Sequence, residues 1–322
     1  MATALATLMA MPAVPLAPYR SPVIRLARLE AALGPGSPTI LAKRDDLLGF
    51  GLGGNKVRKI QLIAAEVAKT GADTVITCGT VQSNHARVTA ATGAALGWKV
   101  ILVLSGEPPA VPSGNFAHDL LFGAEVRFVA DRSERNAAME MAAAEVRTAG
   151  GRPFVIPMGA STPVGAMGMA RAISELSADG VRPDVVIHAS SSGGTQAGLV
   201  AGCALFGLAA RVVGISVDDP AETIAERVRG LIAGMAGTLG GRPDTLAGRW
   251  PVDVDESQIG EGYAVPTAAS TEARVQIART EGFVLDNTYT AKAMAGLIAR
   301  VRGGELGRGQ TVLFWHTGGM SE

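Results

Sequence analysis

The chain has 322 residues, enough for two domains that each bury a sizeable core. Its 29 lysines and arginines balance 29 aspartates and glutamates, so no global charge favours nucleic acid or an anionic membrane as partner. This balance favours a small-molecule substrate. Cys78 and Cys203 are isolated thiols that predict neither a disulfide framework nor a redox motif, which fits a reducing cytoplasm.

The first twenty residues are apolar and carry no basic residue before Arg20, which is untypical of a secretory signal. We interpret them as an arm. The longest apolar helical run, Gly198 to Ala210, is too short to cross a bilayer and predicts a buried helix. The four histidines are scattered without a pair at helix-face spacing, so we expect no metal site.

The segment Gly53–Lys59 places Lys56 where a glycine-rich loop opens a helix. Apolar residues recur at helical spacing over Lys56–Thr70, with Asn55 as the expected N-cap and Gly71 as the stop. In the first turn, the helix dipole and partial burial both disfavour the ammonium form, which leaves an amine able to attack an aldehyde. Lys56 is therefore a candidate for forming a Schiff base. The alternative is a solvated surface lysine, which is common in first turns.

Beyond this helix, β-rich apolar runs alternate with helical patterns, which indicates an α/β fold. Several runs are continuously hydrophobic, as expected of parallel strands covered on both faces. The predicted strands are Thr74–Cys78, Val100–Leu104, Val126–Val129, Phe154–Pro157, Val185–Ala189, Val212–Val217 and Val312–Trp315. The segments Gly49–Gly54 and Pro157–Gly168 look like crossings between two lobes, and Gly230–Trp250 looks like an irregular surface segment.

The first of three strand-to-helix junctions is Thr77–His85, where a predicted strand ends in a polar loop before a helix from His85 to Leu96. Ser83 and Asn84 stand at the N-terminus of that helix. Their side chains and the free backbone amides there form a cradle for a carboxylate, and Ser83 is placed for proton transfer. The alternative is that one of them only caps the helix.

The second junction is Ser190–Thr195, between a predicted strand and a helix predicted over Gln196–Leu208. Glycines there permit close backbone approach, while hydroxyls and amides suit phosphate oxygens. The segment lacks the lysine of a nucleoside-triphosphate loop, and Gly49–Gly54 lies in the wrong context for a dinucleotide fingerprint. A single phosphate ester fits better than a dinucleotide, and a flexible connection is the alternative.

The third junction ends the chain, where a predicted strand finishes at His316-Thr317-Gly318-Gly319. The carboxyl ends of strands in an open parallel sheet line the ligand crevice, so Thr317 is expected to face the same ligand. Tyr289 opens a predicted helix through Lys292 and Met294, and Tyr263 lies in a predicted loop. Either tyrosine is a site candidate, with ordinary packing as the alternative.

Together these segments resemble a tryptophan-synthase-β-type, fold type II pyridoxal-phosphate enzyme of the aminocyclopropane-carboxylate deaminase and D-cysteine desulfhydrase family. The resemblance runs from Pro22 to the end of the chain. Its motifs are Lys43–Asp46, Gly53–Lys56, Gln82–His85, Ser190–Thr195, Tyr289–Thr290 and His316–Gly319.

The resemblance implies two open, mostly parallel-sheet domains. Residues 1–55 and 165–322 would form a large cofactor domain, and residues 56–164 a small domain. It also implies pyridoxal 5'-phosphate as the cofactor, a small amino-acid substrate and a homodimer, while the isolated cysteines predict a cytoplasmic location.

The same resemblance implies roles for individual residues. Lys56 would bind the cofactor aldehyde and later move the Cα proton of the substrate, Asn84 would contact the ring hydroxyl, and Thr290 or Thr317 would meet the pyridine nitrogen. The residues expected to hold the phosphate are Lys59, Ser192, Gly193, Gly194 and Thr195. The residues expected around the substrate are Gln82, Ser83, Asn84, His85, Tyr263 and Tyr289, with Ser83 and the tyrosines as catalytic residues beside Lys56. Asp45 and Asp46 are expected to support the fold.

Thr290 separates two branches of that family. Aminocyclopropane-carboxylate deaminases have glutamate after this tyrosine, and the threonine here indicates the desulfhydrase branch, which converts D-cysteine to pyruvate, ammonia and sulfide. Near the site, several residues differ from those usual in the family, so the leaving group could also be chloride, sulfite or another thiol, and racemase activity stays an alternative. These residues are Val88, Ser191, Asn287, Thr288 and Ala291.

Two other classes stay open from sequence. The first is a nicotinamide oxidoreductase built on a doubly wound sheet, but this sequence does not show the acidic residue that such an enzyme needs to bind the ribose. A non-catalytic cofactor carrier of the same fold would not need Lys56, Ser83 and Tyr289 together.

Overall fold

A computed structural model describes residues 1–17, 20–248 and 251–319 as an α/β structure with two sheets. The strands are β1 Val23–Arg25, β2 Thr39–Arg44, β3 Thr74–Thr80, β4 Lys99–Ser105, β5 Glu125–Val129, β6 Pro153–Ile156, β7 Val185–Ser190, β8 Arg211–Ser216, β9 Asp253–Asp255 and β10 Thr311–His316. The helices are α1 Ala2–Ala10, α2 Ala27–Leu33, α3 Asn55–Thr70, α4 Asn84–Leu96, α5 Gly114–Leu121, α6 Arg135–Thr148, α7 Pro163–Ala178, α8 Gly194–Leu205, α9 Ala221–Leu239, α10 Pro243–Ala247, α11 Ala268–Glu281 and α12 Thr290–Arg302. Short 3-10 turns occupy Asp45–Leu47, Arg132–Glu134 and Met158–Ala160.

The large sheet has the strand order β1-β2-β10-β7-β8-β9, and the small sheet has the order β5-β4-β3-β6. Every neighbouring pair is parallel except β1 with β2. The predicted α/β fold with two mostly parallel sheets is confirmed. The small sheet comes from residues 74–156 and the large sheet from both flanking segments. The expected domain boundaries at 55/56 and 164/165 stay a prediction.

Each predicted strand is confirmed, with its ends shifted by at most two residues. β3 and β7 are buried almost throughout, because helices cover both faces of each sheet. Helix α8 packs closely on α7, since a Cβ atom on Gly198 would lie 2.2 Å from the carbonyl oxygen of Ala166. The predicted buried apolar helix is therefore real, although it ends at Leu205.

Three local predictions were wrong. The N-terminal segment is no free arm, because α1 buries Leu8 in the core and Arg171 donates to the Leu8 carbonyl oxygen. The segment expected to be irregular contains the second half of α9 and all of α10. Its glycines do not break α9, and Gly234 allows close approach to Pro163. Residues 249 and 250 of that segment lie outside the described ranges.

The third correction concerns the start of α3. Gly54 is the N-cap and Asn55 is already helical. The described residues contain no helix that is long and apolar enough to span a membrane, and no cluster of three or more potential metal ligands occurs among them. Both cysteines are free and buried.

Candidate active site

A cavity of about 1020 Å³ lies where the carboxyl ends of strands from both sheets meet. Most of the residues expected from sequence line it. They are Lys56, Ser83, Asn84, His85, Ser192, Gly193, Thr195, Tyr263, Tyr289 and Thr317. Lys59, Gly194, Thr290 and Gln82 are not in its wall.

Two glycines position Lys56 at the cavity. A Cβ atom on Gly53 would lie 2.4 Å from the carbonyl oxygen of Asp46, and one on Gly54 would lie 2.9 Å from that of Thr317. Both residues have positive φ, and the Asn55 amide donates to the Thr317 carbonyl oxygen at 3.0 Å. This contact sets the first turn of α3 against the end of β10. Burial lowers the pKa of Lys56 to about 8, so a neutral amine is accessible near physiological pH.

Lys59 lies one turn further along α3 and is completely buried. Its Nζ donates to the Gly159 carbonyl oxygen at 3.2 Å and to Ser161 Oγ at 3.3 Å, and it makes no ion pair within the described ranges. Burial, followed by the nearby charge of Lys56, holds the pKa of Lys59 well below its usual value. A buried ammonium group with only neutral partners is costly, and a bound anion would compensate it.

The Ser/Gly segment forms a cradle around this ammonium group. A Cβ atom on Gly194 would lie 2.8 Å from Lys59 Nζ and 2.6 Å from Ser161 Oγ. Ser161 donates to Ser192 Oγ at 2.8 Å, and Asn55 Nδ2 donates to Thr195 Oγ1 at 2.7 Å. Hydroxyls, a helix N-terminus and a buried cation thus converge. This set of groups fits a phosphate ester.

Ser83 caps helix α4. Its Oγ accepts the Ala86 amide at 3.2 Å, and its own hydroxyl proton has no acceptor among the described residues. A Cβ atom on Gly79 would lie 2.4 Å from the Ser83 Cβ, so glycine is needed there to keep the loop tight. Ser83 therefore performs the capping role and retains a donor for a ligand in the cavity.

Asn84 is oriented by a buried arginine. Arg87 Nη1 and Asn115 Nδ2 each donate to Asn84 Oδ1 at 3.0 Å, which leaves the Asn84 amide nitrogen as the group available to a ligand acceptor. Arg87 also donates to the carbonyl oxygens of Gly51 and Gly53. The same guanidinium thus joins the loop before Lys56 to the loop of Ser83 and Asn84.

His85 lies in the cavity wall as a neutral imidazole. Its Nε2 lies 2.8 Å from Thr77 Oγ1, which donates its own proton to the Ile156 carbonyl oxygen, so Nε2 carries the histidine proton. Burial and the two lysines hold the pKa of His85 well below its usual value. Gln82 contacts Ser113 and Asn115 through its side chain, away from the cavity. The side chain of Gln82 is thus engaged outside the cavity wall, and its assignment as a substrate ligand stays a prediction.

The two tyrosines form a pair. Their hydroxyl oxygens are 2.6 Å apart and their rings meet edge to face, with centroids 5.8 Å apart. Thr80 Oγ1 lies 3.4 Å from the Tyr263 hydroxyl. Burial raises the pKa of both phenols, so both keep their protons at neutral pH. The pair can donate a hydrogen bond into the cavity.

The hydroxyl group of Thr290 is already engaged. It donates to Asp286 Oδ2 at 2.5 Å and accepts the Asp286 amide at 2.9 Å. Asp286 Oδ1 accepts the Tyr289 amide, so this acid orders the loop that presents the tyrosine. Of the two threonines expected at the pyridine nitrogen, Thr317 is the one in the cavity wall.

Sequence reasoning missed several residues around the site. Ser161 and Asn55 complete the anion cradle, and Arg135 and Asp218 line the cavity. Asn55 adjoins Lys56, and its place before a helical pattern predicts only a helix cap. Ser161 and Arg135 carry no local signal, because single polar residues near a turn are common. Asp45 is buried and bonds Arg58, Ser21 and Trp315, as expected of a supporting residue.

Comparison with known proteins agrees with this geometry. Residues 14–318 match the family described as pyridoxal-phosphate dependent enzyme. A relative from Burkholderia vietnamiensis, named 1-aminocyclopropane-1-carboxylate deaminase, is 38% identical over 323 residues, which cover 96% of this chain and 94% of the relative.

Solved structures give the same result. The structure of an ACC deaminase homologue superposes with a TM-score of 0.91 at 34% identity and covers 100% of this chain and 96% of that one. The T.th. threonine deaminase shares the fold, with a TM-score of 0.70 at 19% identity over 100% of this chain and 98% of that one. The nicotinamide alternative is therefore wrong. This chain belongs to the fold type II family of pyridoxal-phosphate dependent enzymes, and its cofactor is pyridoxal phosphate.

Proposed function

We propose that the chain catalyses β-elimination from a small β-substituted amino acid, with D-cysteine as the favoured substrate. The products would be pyruvate, ammonia and hydrogen sulfide. The observation that carries the proposal is the neutral hydroxyl of Thr317 in the cavity wall, with Thr290 engaged by Asp286. Neither threonine can protonate a pyridine nitrogen, and an unprotonated ring suits expulsion of a good leaving group better than opening of a cyclopropane.

The cofactor-binding residues follow from the anion cradle. Ser192, Gly193, Gly194 and Thr195 would hold the phosphate group together with Lys59, whose buried ammonium group lies beside Gly194 and has no carboxylate partner among the described residues. Ser161 joins them through Lys59 and Ser192. The amide nitrogen of Asn84 would donate to the ring hydroxyl. Thr317 would contact the pyridine nitrogen.

The substrate would bind through its carboxylate at the N-terminus of α4, where Ser83 and free backbone amides provide donors. When bound, pyridoxal phosphate supplies electron withdrawal from the substrate Cα. Lys56, with its pKa lowered to about 8, takes the Cα proton on Nζ. The Cβ–S bond breaks with its electron pair leaving on sulfur. The sulfur leaves as hydrosulfide, to which the Tyr263 and Tyr289 pair donates a hydrogen bond and which takes its proton from water, and water hydrolyses the released aminoacrylate to pyruvate and ammonia.

A second candidate is ring opening of 1-aminocyclopropane-1-carboxylate to 2-oxobutyrate and ammonia. The names of relatives at 38% identity favour it. The glutamate that the deaminase branch places after the tyrosine is Thr290 in this chain, which is why we rank this reaction second.

A substrate panel tests the proposal. Purified holoenzyme would be assayed in parallel against D-cysteine, L-cysteine, β-chloro-D-alanine, cysteate and aminocyclopropane carboxylate. We expect pyruvate from D-cysteine and β-chloro-D-alanine, with slow or absent 2-oxobutyrate release. Faster 2-oxobutyrate release from the cyclopropane than pyruvate release from every β-substituted substrate would establish the second candidate instead.

A further inference from the structure

Arg135 is a buried cation in the cavity wall that has no acidic partner among residues 1–17, 20–248 and 251–319. It opens helix α6, and only 8% of its surface is exposed. Its guanidinium donates to Ser105 Oγ and to the weak acceptor Met158 Sδ, and it makes no ion pair with any residue in the described part of the chain. Five N–H donors and one net charge are therefore matched only by neutral atoms. Such a group is stabilised when an anion enters the cavity.

The other arginines of the cavity differ from Arg135. Arg132 lies 3.6 Å and Arg227 lies 2.6 Å from oxygens of Asp219, and both are substantially exposed. Their charge is compensated by protein and water. Among the described arginines of the cavity wall, Arg135 thus has a charge that only a bound anion would compensate.

Sheet register places Arg135 on the side of the cavity where the tyrosines lie. Ser105 on β4 is the register partner of Thr80 on β3, so their side chains leave the same face of the small sheet about 4.8 Å apart. Ser105 Oγ accepts from Arg135, and Thr80 Oγ1 contacts the Tyr263 hydroxyl. The guanidinium therefore lies one strand away from the groups that face the substrate side chain.

We propose that Arg135 binds a second anionic group, a carboxylate or sulfonate, carried on the side chain of the amino-acid substrate. The proposal rests on the proposed function in one respect, namely that an amino acid binds with its α-carboxylate at Ser83. A small thiol such as D-cysteine leaves Arg135 unused. Amino acids with an anionic side chain gain a charge-assisted hydrogen bond and bind more tightly.

The cofactor phosphate is the competing anion, because Met158 is adjacent to Gly159, whose carbonyl oxygen accepts from Lys59. Binding of aspartate and asparagine separates the two. These probes have the same number of heavy atoms and differ by one charge. Both enantiomers of each, together with cysteate, would be titrated into holoenzyme, and the visible absorbance of the bound cofactor would report binding without any need for turnover.

We expect one enantiomer of aspartate to bind about 10- to 100-fold more tightly than the matching asparagine. Arg135→Gln abolishes this difference and leaves asparagine binding unchanged, while Arg135→Lys retains part of it. Arg132→Gln is the matched control, since it removes the same charge from the same wall, and it keeps the preference.

Equal binding of aspartate and asparagine by the unaltered enzyme overturns the proposal without reference to any variant. A variant Arg135→Gln that releases cofactor yet keeps the aspartate preference assigns Arg135 to the phosphate, which also overturns it. A clear aspartate preference in an enzyme that eliminates nothing from any substrate leaves this inference standing while the proposed β-elimination fails.

Discussion

Helix α3 carries two kinds of buried charge within its first two turns. Arg58 pairs with Asp45 at 2.8 Å and with Glu175 at 2.7 Å, and Glu175 also pairs with the buried Lys43. Lys56 and Lys59, on either side of Arg58 in sequence, have no ion pair within the described ranges. Neighbouring residues of one helix thus differ in whether the protein itself supplies the counter-charge.

This difference distinguishes a residue that stabilises the fold, Arg58, from residues placed to bind a ligand, Lys56 and Lys59. Arg58, whose charge is compensated, joins α3 to Asp45 after β2 and to Glu175 on α7. Asp45 also accepts hydrogen bonds from Ser21 and Trp315. The uncompensated lysines face a cavity and a cradle of hydroxyls. A folded protein retains an unpaired buried charge at a cost, so such a charge marks the position of a ligand.

The largest expected effect comes from Lys56→Ala. Loss of the group that binds the cofactor aldehyde and moves the Cα proton should lower elimination by at least about 10³-fold, while the fold remains intact. Activity, visible absorbance and circular dichroism would be measured. Lys69→Ala, an exposed lysine of the same helix, serves as the control. Peptide mapping after borohydride reduction that finds the cofactor on another lysine would refute the assignment.

The substitution Asp45→Asn tests the contribution of the buried Arg58–Asp45 ion pair to stability. This change leaves Arg58 with an incomplete set of partners, so the free energy of unfolding should fall by about 3–5 kcal/mol in urea titrations. Asp244→Asn, at an exposed pair, should change it by less than about 0.5 kcal/mol. Comparable losses for the two variants would contradict a supporting role for Asp45.

Acid unfolding gives a second test of Asp45. Burial opposes ionisation of this carboxyl, but Arg58 and the hydrogen bonds prevail and lower its pKa. A lowered pKa in the folded state means that the stabilisation is complete above the unfolded value of about 3.9 and is lost as the pH falls through the folded pKa. Asp45→Asn should therefore flatten the dependence of stability on pH in that acidic window.

Lys59→Met should have opposite effects on the two forms of the protein. Without cofactor, the buried ammonium group is a cost, so the variant should be more stable at neutral pH. The pKa of Lys59 is lowered, so the apoprotein gains stability as pH rises from that lowered pKa towards the usual value of about 10.4, and the variant should lose much of this slope.

With cofactor, the same change removes a charge-assisted contact. Cofactor affinity should fall about 10- to 100-fold. Thermal unfolding with and without pyridoxal phosphate measures both quantities. A variant that is less stable as apoprotein and binds cofactor normally would place Lys59 in the same class as Arg58.

The strands and loop segments that have a local sequence pattern were predicted from the sequence. Continuous apolar runs identified β3 and β7, and clustered glycines and hydroxyls identified the segments around Ser83 and Thr195. Strands β1, β2 and β9 were not predicted. β1 and β9 have only three residues each, and in β2 the charged Lys43 and Arg44 do not look like buried strand residues until their partners are known.

Residues that depend on distant partners could not be predicted. Ser161 reaches Lys59 only because the turn after β6 folds over α3, and Arg135 enters the cavity only because α6 begins beside Ser105. Glycines in α9 suggested irregular structure, yet tertiary packing overrode their low helix propensity. Asn287, Thr288 and Ala291 depart from the family pattern without a structural explanation.

The smallest expected effect comes from Thr195→Val, which tests whether the Thr195 hydroxyl contributes to phosphate binding. Thr195 Oγ1 accepts from Asn55 and retains a hydroxyl proton for the phosphate group. Thr195→Val keeps the side-chain shape and removes that donor, so cofactor affinity should fall about 3- to 10-fold, while the rate at saturating cofactor changes by less than about twofold, because the hydroxyl binds phosphate and not the reacting carbon. Cofactor titration of the apoprotein gives the affinity, and Thr195→Ser should retain it. Unchanged affinity in the valine variant would reduce the Ser/Gly segment to a plain connection between β7 and α8, and Lys59 alone would then have to account for phosphate binding.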